Sequence, residues 1–356
     1  MTKHERILAD LEQKIATREY APNDRIPTEM ELCAVYGAAR ATVAKALREL
    51  ELRGLIERRR RAGTFVRAGH AVQSRTVGLL VPGLGEGEIF EPICSSIAAA
   101  APSFGFRLSW RQLPVLPAAE KARAAMTLCQ RYIDDRVEGL FFAPLELTSE
   151  KDEINLRILD LLRQAGIPVV LIDADPAYPE RSGLDLAGID NFRAGQVLAE
   201  HLLARGCRSL AFVHRPRSAG TTQARAAGFR AALAAHGLPV ADRVLETELD
   251  EPELVPRLTD QLQADGIVCA NDYTAACLMR NLQSAGLRIP KQIRLTGVDN
   301  VKYAHLLSVP LTTLAQPCRD IGLAALELLR FRIAHPDAPP RQILLDAPLL
   351  PRQSSV

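Results

Sequence analysis

The chain has 356 residues, 47% of them hydrophobic, with 44 Lys+Arg against 42 Asp+Glu. That length exceeds one small domain and leaves room for two or three cores, while near neutrality excludes a chain that is basic or acidic throughout. Seven scattered cysteines without a CxxC pair, and seven histidines without ligand spacing, exclude a disulfide framework and give no metal site.

The opening MTKHERILADLEQ is charged and amphipathic and does not read as a signal peptide. No run of ~18 apolar residues follows, so no membrane contact and a reduced, cytoplasmic location are expected. Pro27 then stops the chain, and Thr28 and Glu31 have capping-box spacing. A helix is predicted from about Thr28, with Met30, Leu32, Cys33 and Val35 available to face a core and Gly37 as its stop. A second helix is predicted from about Ala39 to Arg53. Val43, Ala46, Leu47, Leu50 and Leu52 would pack inward, leaving Arg40, Lys45 and Arg48 outside. Two helices joined by a tight turn form a helix-turn-helix, whose second helix enters the major groove N-terminus first. That places Arg40, Ala41, Thr42 and Ala44 at bases or phosphates.

After Gly54, Leu55–Glu57 and Thr64–Val66 read as strands, with Arg58, Arg59, Arg60, Arg61 and Gly63 between them. An arginine-tipped hairpin is a claim on phosphate or on a narrow minor groove. Residues 1–70 hold 14 Lys+Arg against 10 Asp+Glu, and the remainder 30 against 32. The positive excess therefore sits in the part that would meet nucleic acid, and the partner expected is double-stranded operator DNA.

Residues 69–76 are polar and aperiodic and read as a linker between domains at 1–68 and 77–356. Beyond it, strands at Thr76–Val81, Arg107–Trp110, Gly139–Phe142, Val169–Ile172, Leu210–Val213, Gly266–Ala270 and Arg294–Gly297 alternate with helices. The helices are predicted at Phe90–Ala101, Glu120–Asp134, Phe192–Arg205, Ala224–His236, Glu253–Gln263, Tyr273–Ala285 and Ile321–Ile333. Continuous apolar strands alternating with helices predict α/β architecture, with parallel sheets covered on both faces. The strand count suits two lobes with a cleft between them.

Ligands of open α/β sheets bind beyond the carboxyl ends of the strands. Asp173, Arg225, Asn271, Asp272 and Asp299 fall at or beside such ends and suit a polyhydroxylated ligand. Phe90 and Trp110 could stack on a sugar or base or simply pack in the core. Asp190 suits a ligand or the N-cap of the next helix. The GxGxG of residues 83–87 carries no dinucleotide reading, because its next glycine position is Glu88, and no cofactor is expected. No base, nucleophile and orienter trio is legible, so catalysis is not expected.

The first ~70 residues resemble the GntR family of winged-helix transcription factors, in which one such module reads DNA. The matching residues are Pro27, Thr28, Glu29, Leu32, Gly37, Arg40, Thr42, Val43, Ala46, Leu47, Leu50, Gly54, Ile56, Gly63, Thr64, Phe65 and Val66. By resemblance, recognition residues fall on Arg40 and Thr42 and the minor-groove wing on Gly63. Met30 and Ala44 stand where the family often has arginine, and Arg61 where it often has glycine, which implies a changed operator.

From Thr76 onward the chain is similar to the LacI/GalR ligand-sensing domain, a two-lobed, periplasmic-binding-protein-like fold. The similarity lies in TVGLLVPG, RVEGLFFAP, GIPVVLIDADP, GIDNFRAGQVLAEHLLARGCRSLAFV, ARAAGFRAAL and CANDYTAACLMRNLQSAGLRIPKQIRLTGVDN. The resemblance implies effector contacts at Arg225, Asn271 and Asp299, and less directly at Asp173 and Asp190. It also implies a loop, GLGEGEIF with Glu88 and Phe90, that reaches into the cleft. The whole then reads as a homodimeric repressor whose operator affinity answers to a small metabolite, a sugar or sugar derivative. Two other readings stay open: an α/β enzyme with a regulatory DNA module, and a DNA-binding protein whose C-terminal part only dimerises.

Overall fold

The structure, a computed structural model, describes residues 3–17, 19–52, 54–59, 62–66, 75–82, 89–111 and 117–356. The chain divides into two compact units, Met1–Arg75 and Thr76–Val356.

The first unit contains α1 (Lys3–Ala16), α2 (Glu29–Tyr36), α3 (Arg40–Leu52), β1 (Ile56–Arg59) and β2 (Gly63–Val66). Ile7, Leu11, Ile26, Leu32, Val43, Leu47, Leu50 and Ile56 form its core. The capping box is present: Thr28 Oγ1 accepts from the Glu31 amide, and the Glu31 carboxylate accepts from the Thr28 amide at 2.7 Å. Gly37 closes α2 in the left-handed region at φ 55°. Two expected core positions are corrected: Met30 is 82% and Val35 69% exposed. An eight-residue helix buries one narrow face, and Leu32 takes it. The strands pair antiparallel from Ile56↔Val66 to Arg59↔Gly63. Arg60, Arg61, most of the 69–76 linker, Glu88 with the rest of the 83–88 loop, and the Leu52 side chain lie outside the described residues.

The second unit holds two six-stranded sheets. Its elements begin with β3 (Arg75–Leu80), α4 (Phe90–Ala100), β4 (Phe106–Trp110), α5 (Ala118–Asp134), β5 (Leu140–Phe142), α6 (Lys151–Gln164), β6 (Val169–Ile172) and β7 (Asp185–Ile189). Next come α7 (Asn191–Ala204), β8 (Leu210–His214), α8 (Gly220–Ala235), β9 (Val244–Glu246), α9 (Leu254–Pro256), β10 (Gly266–Cys269) and α10 (Asp272–Ser284). The last are β11 (Arg294–Asp299), β12 (Thr312–Ala315), α11 (Cys318–Ala334), β13 (Gln342–Leu345) and β14 (Leu349–Leu350). The first sheet is ordered β13-β7-β6-β5-β3-β4 and the second β14-β12-β11-β10-β8-β9. The α/β expectation holds, since the determined pairings are parallel except β12 with β14. The chain passes between lobes three times: from β7 into α7, from β12 into α11, and from β13 to β14.

The strands β7, β9, β12, β13 and β14 were not anticipated. β7 reads DLAGI, and its polar start hides it. Asp185 is 1% exposed because Arg332 of α11 grips it at 2.8 and 3.1 Å and the Arg341 amide donates to it. The helix expected over Glu253–Gln263 is corrected: α9 is one short turn, followed by a π turn over Arg257–Gln261. Pro256 lacks the amide that a continuous helix needs.

Candidate functional site

The first unit presents one surface. Val43, Ala46, Leu47 and Leu50 turn one side of α3 into the core, which leaves Arg40, Ala41, Lys45 and Arg48 exposed and Thr42 and Ala44 half-buried. A groove between this face and the wing is lined by Ala41, Ala44, Lys45, Arg48, Glu51 and Arg58. Glu29 on α2 organises it. Its carboxylate pairs with Arg40 at 3.1 Å and with Arg58 at 3.5 Å, and Arg58 also meets Glu51 at 3.4 Å. One acid thus ties the recognition helix to the wing. The sequence offered no signal for that, because the partners are far apart in the chain.

Arg59 lies over the Phe65 ring at 4.7 Å and donates to Glu57 and Asn23. It is a brace for the wing as well as a charge. Gly63, at φ 119°, lets the hairpin pass the Arg25 side chain: a Cβ there would lie 2.8 Å from Arg25 Nε. Thr64 pairs opposite Arg58. Thr28, expected at the DNA, has its hydroxyl engaged with Glu31.

In the second unit the strand ends bring a different set together. Arg225 on α8 is 4% exposed, with Nε on Asn191 Oδ1 at 2.8 Å and Nη1 on the Ala270 carbonyl at 2.7 Å. Burial raises the Asp173 carboxyl, opposed by the Arg225 charge. Burial likewise raises Glu146, and Asp173 adds to the rise, while the Ala219 amide, Arg215 and Arg225 oppose it. Burial pushes Asp299 up to about 8 against the pull of Arg225, with Asp272 and Asp173 raising it further. The Arg225 charge acts on all three carboxyls.

Asp299 also accepts from Gln316 Nε2 at 2.8 Å. Asp173 Oδ1 and Gln316 Oε1 are buried without a hydrogen-bond partner. A native structure rarely leaves such acceptors orphaned unless something else satisfies them. A cavity of about 250 Å³ reaches Asp173, Asn191, Thr221 and Ala224.

Four expected contacts are placed elsewhere. Asp272 is fully buried, and its carboxylate accepts from Thr313 Oγ1 at 2.6 Å and the Val301 amide at 3.0 Å, so it ties α10 to the following strands. Asp190 is an exposed N-cap that accepts from the Arg193 amide; its neighbour Asn191 takes Arg225 instead. Phe90 is 7% exposed within the core beside Ile89 and Ile93. Trp110 ends the edge strand β4 and is 43% exposed. Asn271 caps α10 through Thr274 and stays half-buried. Glu146 and Gln316 were missed, since each lies in a loop beyond a strand with no motif of its own; Asn191, the first residue of α7, was passed over for its neighbour Asp190.

A winged helix and a two-lobed α/β domain with a polar, partly unsatisfied cleft define an effector-responsive transcriptional regulator. Residues 3–66 match the bacterial regulatory proteins, gntR family, and residues 199–355 match the periplasmic binding protein-like domain. The chain is thus similar to GntR-family regulators in its first segment and to periplasmic binding protein-like domains in its second. It is 29% identical over 328 residues to the arabinose metabolism transcriptional repressor of Geobacillus stearothermophilus, covering 88% of this chain and 86% of that one. It is 34% identical over 207 residues to the HTH-type transcriptional repressor PurR of Vibrio parahaemolyticus, covering 56% and 59%; the match thus spans little more than half of that repressor. The fold superposes on a transcriptional regulator CelR-cellobiose complex with a TM-score of 0.66 at 21% identity, covering 92% of this chain and all of the other.

Proposed function

We propose that the protein represses transcription as a cytoplasmic homodimer and that a sugar-like metabolite, bound between the lobes at Asp173, Arg225, Asn271 and Asp299, changes its affinity for operator DNA. The observation that carries the effector is the pair of orphaned acceptors just beyond strand ends, Asp173 Oδ1 on the cavity wall and Gln316 Oε1 on the side chain that donates to Asp299. The relatives support the reading: one is named for arabinose metabolism, and one superposed regulator holds cellobiose.

The DNA contacts are assigned to Arg40, Ala41, Thr42, Ala44, Lys45 and Arg48 on α3 and to Arg58–Arg61, Gly63 and Thr64 on the wing. Two heads are needed, because one small winged helix covers little DNA and a two-fold protein mirrors a two-fold operator. The protein acts by binding, without a catalytic step. Closure of the lobes need contribute only about 1–3 kcal/mol of coupling to give a useful switch.

Sedimentation with and without a labelled duplex from the adjacent promoter tests the assembly. A two-to-one complex whose affinity shifts with arabinose or another sugar is expected. A monomer on DNA, or affinity indifferent to every sugar and purine tried, would sink the reading.

A further inference from the structure

We propose that α3 reads thymine: Ala41 and Ala44 form an apolar seat for the C5 methyl groups of T·A pairs in each operator half-site. This preference rests on the reading of the first unit as a DNA-binding head and names the base that the head selects.

Helix periodicity sorts α3 into two stripes. Val43, Ala46, Leu47 and Leu50 enter the core. Ala41, Ala44, Lys45 and Arg48, at i, i+3, i+4 and i+7, share the other stripe and line the groove. Ala41 lies in the first turn of α3, and Ala44 one turn further, at the end of a recognition helix that meets base edges. Lys45 and Arg48 follow along the same stripe, and Arg58 reaches the groove from the wing. These cations hold a duplex by its phosphates, which presses the alanines onto the bases between.

Ala41 is exposed and Ala44 half-buried, so both methyl groups are open to the groove. Neither side chain donates or accepts a hydrogen bond. A guanine O6 or N7, or the amino group of adenine or cytosine, pressed against them would lose water and gain no partner, which costs free energy. The thymine methyl is the apolar group on a major-groove edge, and it meets alanine without that loss. Burying it also removes apolar surface from water on both sides.

The nearby acids do not redirect the choice. A free carboxylate would favour cytosine by accepting from its amino group. Glu51, which also lines the groove, is held by Arg58 at 3.4 Å, and Glu29 by Arg40 at 3.1 Å.

The test begins by selecting duplexes from a random pool with the full-length protein, which yields a bound sequence without knowledge of the operator. Each thymine of the recovered site is then replaced in turn by uracil, which removes the methyl group alone, and affinities are read by fluorescence anisotropy. Uracil at one or two thymines of a half-site is expected to weaken binding about fourfold each, the worth of one buried methyl. Ala44→Ser is expected to abolish the difference between thymine and uracil at one of those positions and to leave the other unchanged. Should that variant not fold, Ala41→Ser makes the same comparison at the more exposed position. A flat uracil scan, or a thymine–uracil difference that the serine variants leave intact, overturns the inference and leaves the DNA-binding reading standing. Binding without a preferred sequence does the same. Failure to bind any duplex at low salt overturns both.

Discussion

The backbone amide of Leu147 donates to the carbonyl of Arg217 at 2.9 Å, joining the loop after β5 in one lobe to the loop after β8 in the other. Both residues lie in the left-handed region, at φ 61° and 59°. Non-glycine residues reach that region at a cost, which surrounding structure must hold in place. Beside them the Ala219 amide donates to Glu146 Oε2 at 3.3 Å, a second tie between the lobes. The ties sit at the mouth of the cleft, where closure would be felt.

Leu147→Pro removes the donor and cannot adopt φ 61°. Effector affinity is expected to fall roughly tenfold, equivalent to about one hydrogen bond. Calorimetric titration reads the affinity, and small-angle scattering should show a more open molecule. Unchanged affinity would mean that the tie does not favour the closed form.

α7 and α8 touch through glycines. A Cβ on Gly195 would lie 1.9 Å from the Arg225 carbonyl oxygen, and one on Gly228 would lie 1.8 Å from that of Phe192. Gly228→Ala must push the helices apart, at a cost of about 1–3 kcal/mol. Because Arg225 reaches Asn191 and Ala270 from the same helix, effector binding should weaken together with stability. Urea unfolding followed by titration would separate the two losses; a neutral result in both would contradict the packing.

Stability should fall as pH rises from about 4 to about 8. Asp299 has its folded value raised to about 8 from an unfolded value of 3.8, chiefly by burial. Between those values the folded state binds the extra proton, so unfolding becomes easier with each step up in pH and levels off above it. Asp272, pushed up to about 7 by burial, acts in the same direction. Asp299→Asn should flatten the decline in melting temperature between pH 6 and about 8.5. An equally steep decline in the variant would remove Asp299 as its cause.

Arg40 is 84% exposed, pairs with Glu29 and immediately precedes Ala41, which lines the groove. Arg40→Ala should weaken operator binding by about 1–3 kcal/mol and relax its specificity. Arg48→Ala should lower the salt slope by about one without changing sequence preference. Arg59→Ala should lower it less, since Glu57 already neutralises that guanidinium at 2.7 Å. Gel-shift titrations at several salt concentrations distinguish these outcomes.

Local and periodic features were legible in the chain. Thr28 with Glu31, Gly37, and the spacing of Val43, Ala46, Leu47 and Leu50 encode the reading head within some 25 contiguous residues, because capping and helix periodicity act over a few residues. The runs VVLI and GLFF announced buried parallel strands for the same reason. Asp173, Asn271 and Asp299 were singled out because strand ends in such sheets are where ligands bind, and Arg225, inside α8, by resemblance. The folded chain alone decided what those residues do. Asp272 and Asp299 both follow apolar strand residues, yet one is locked by Thr313 and Val301 while the other faces the cleft with Gln316. Glu29 became a clamp, Glu146 a tie to the Ala219 amide and Asn191 the partner of Arg225 only when segments 11 to 73 residues apart met. Burial and field depend on which distant groups surround a side chain, and no local pattern carries that information.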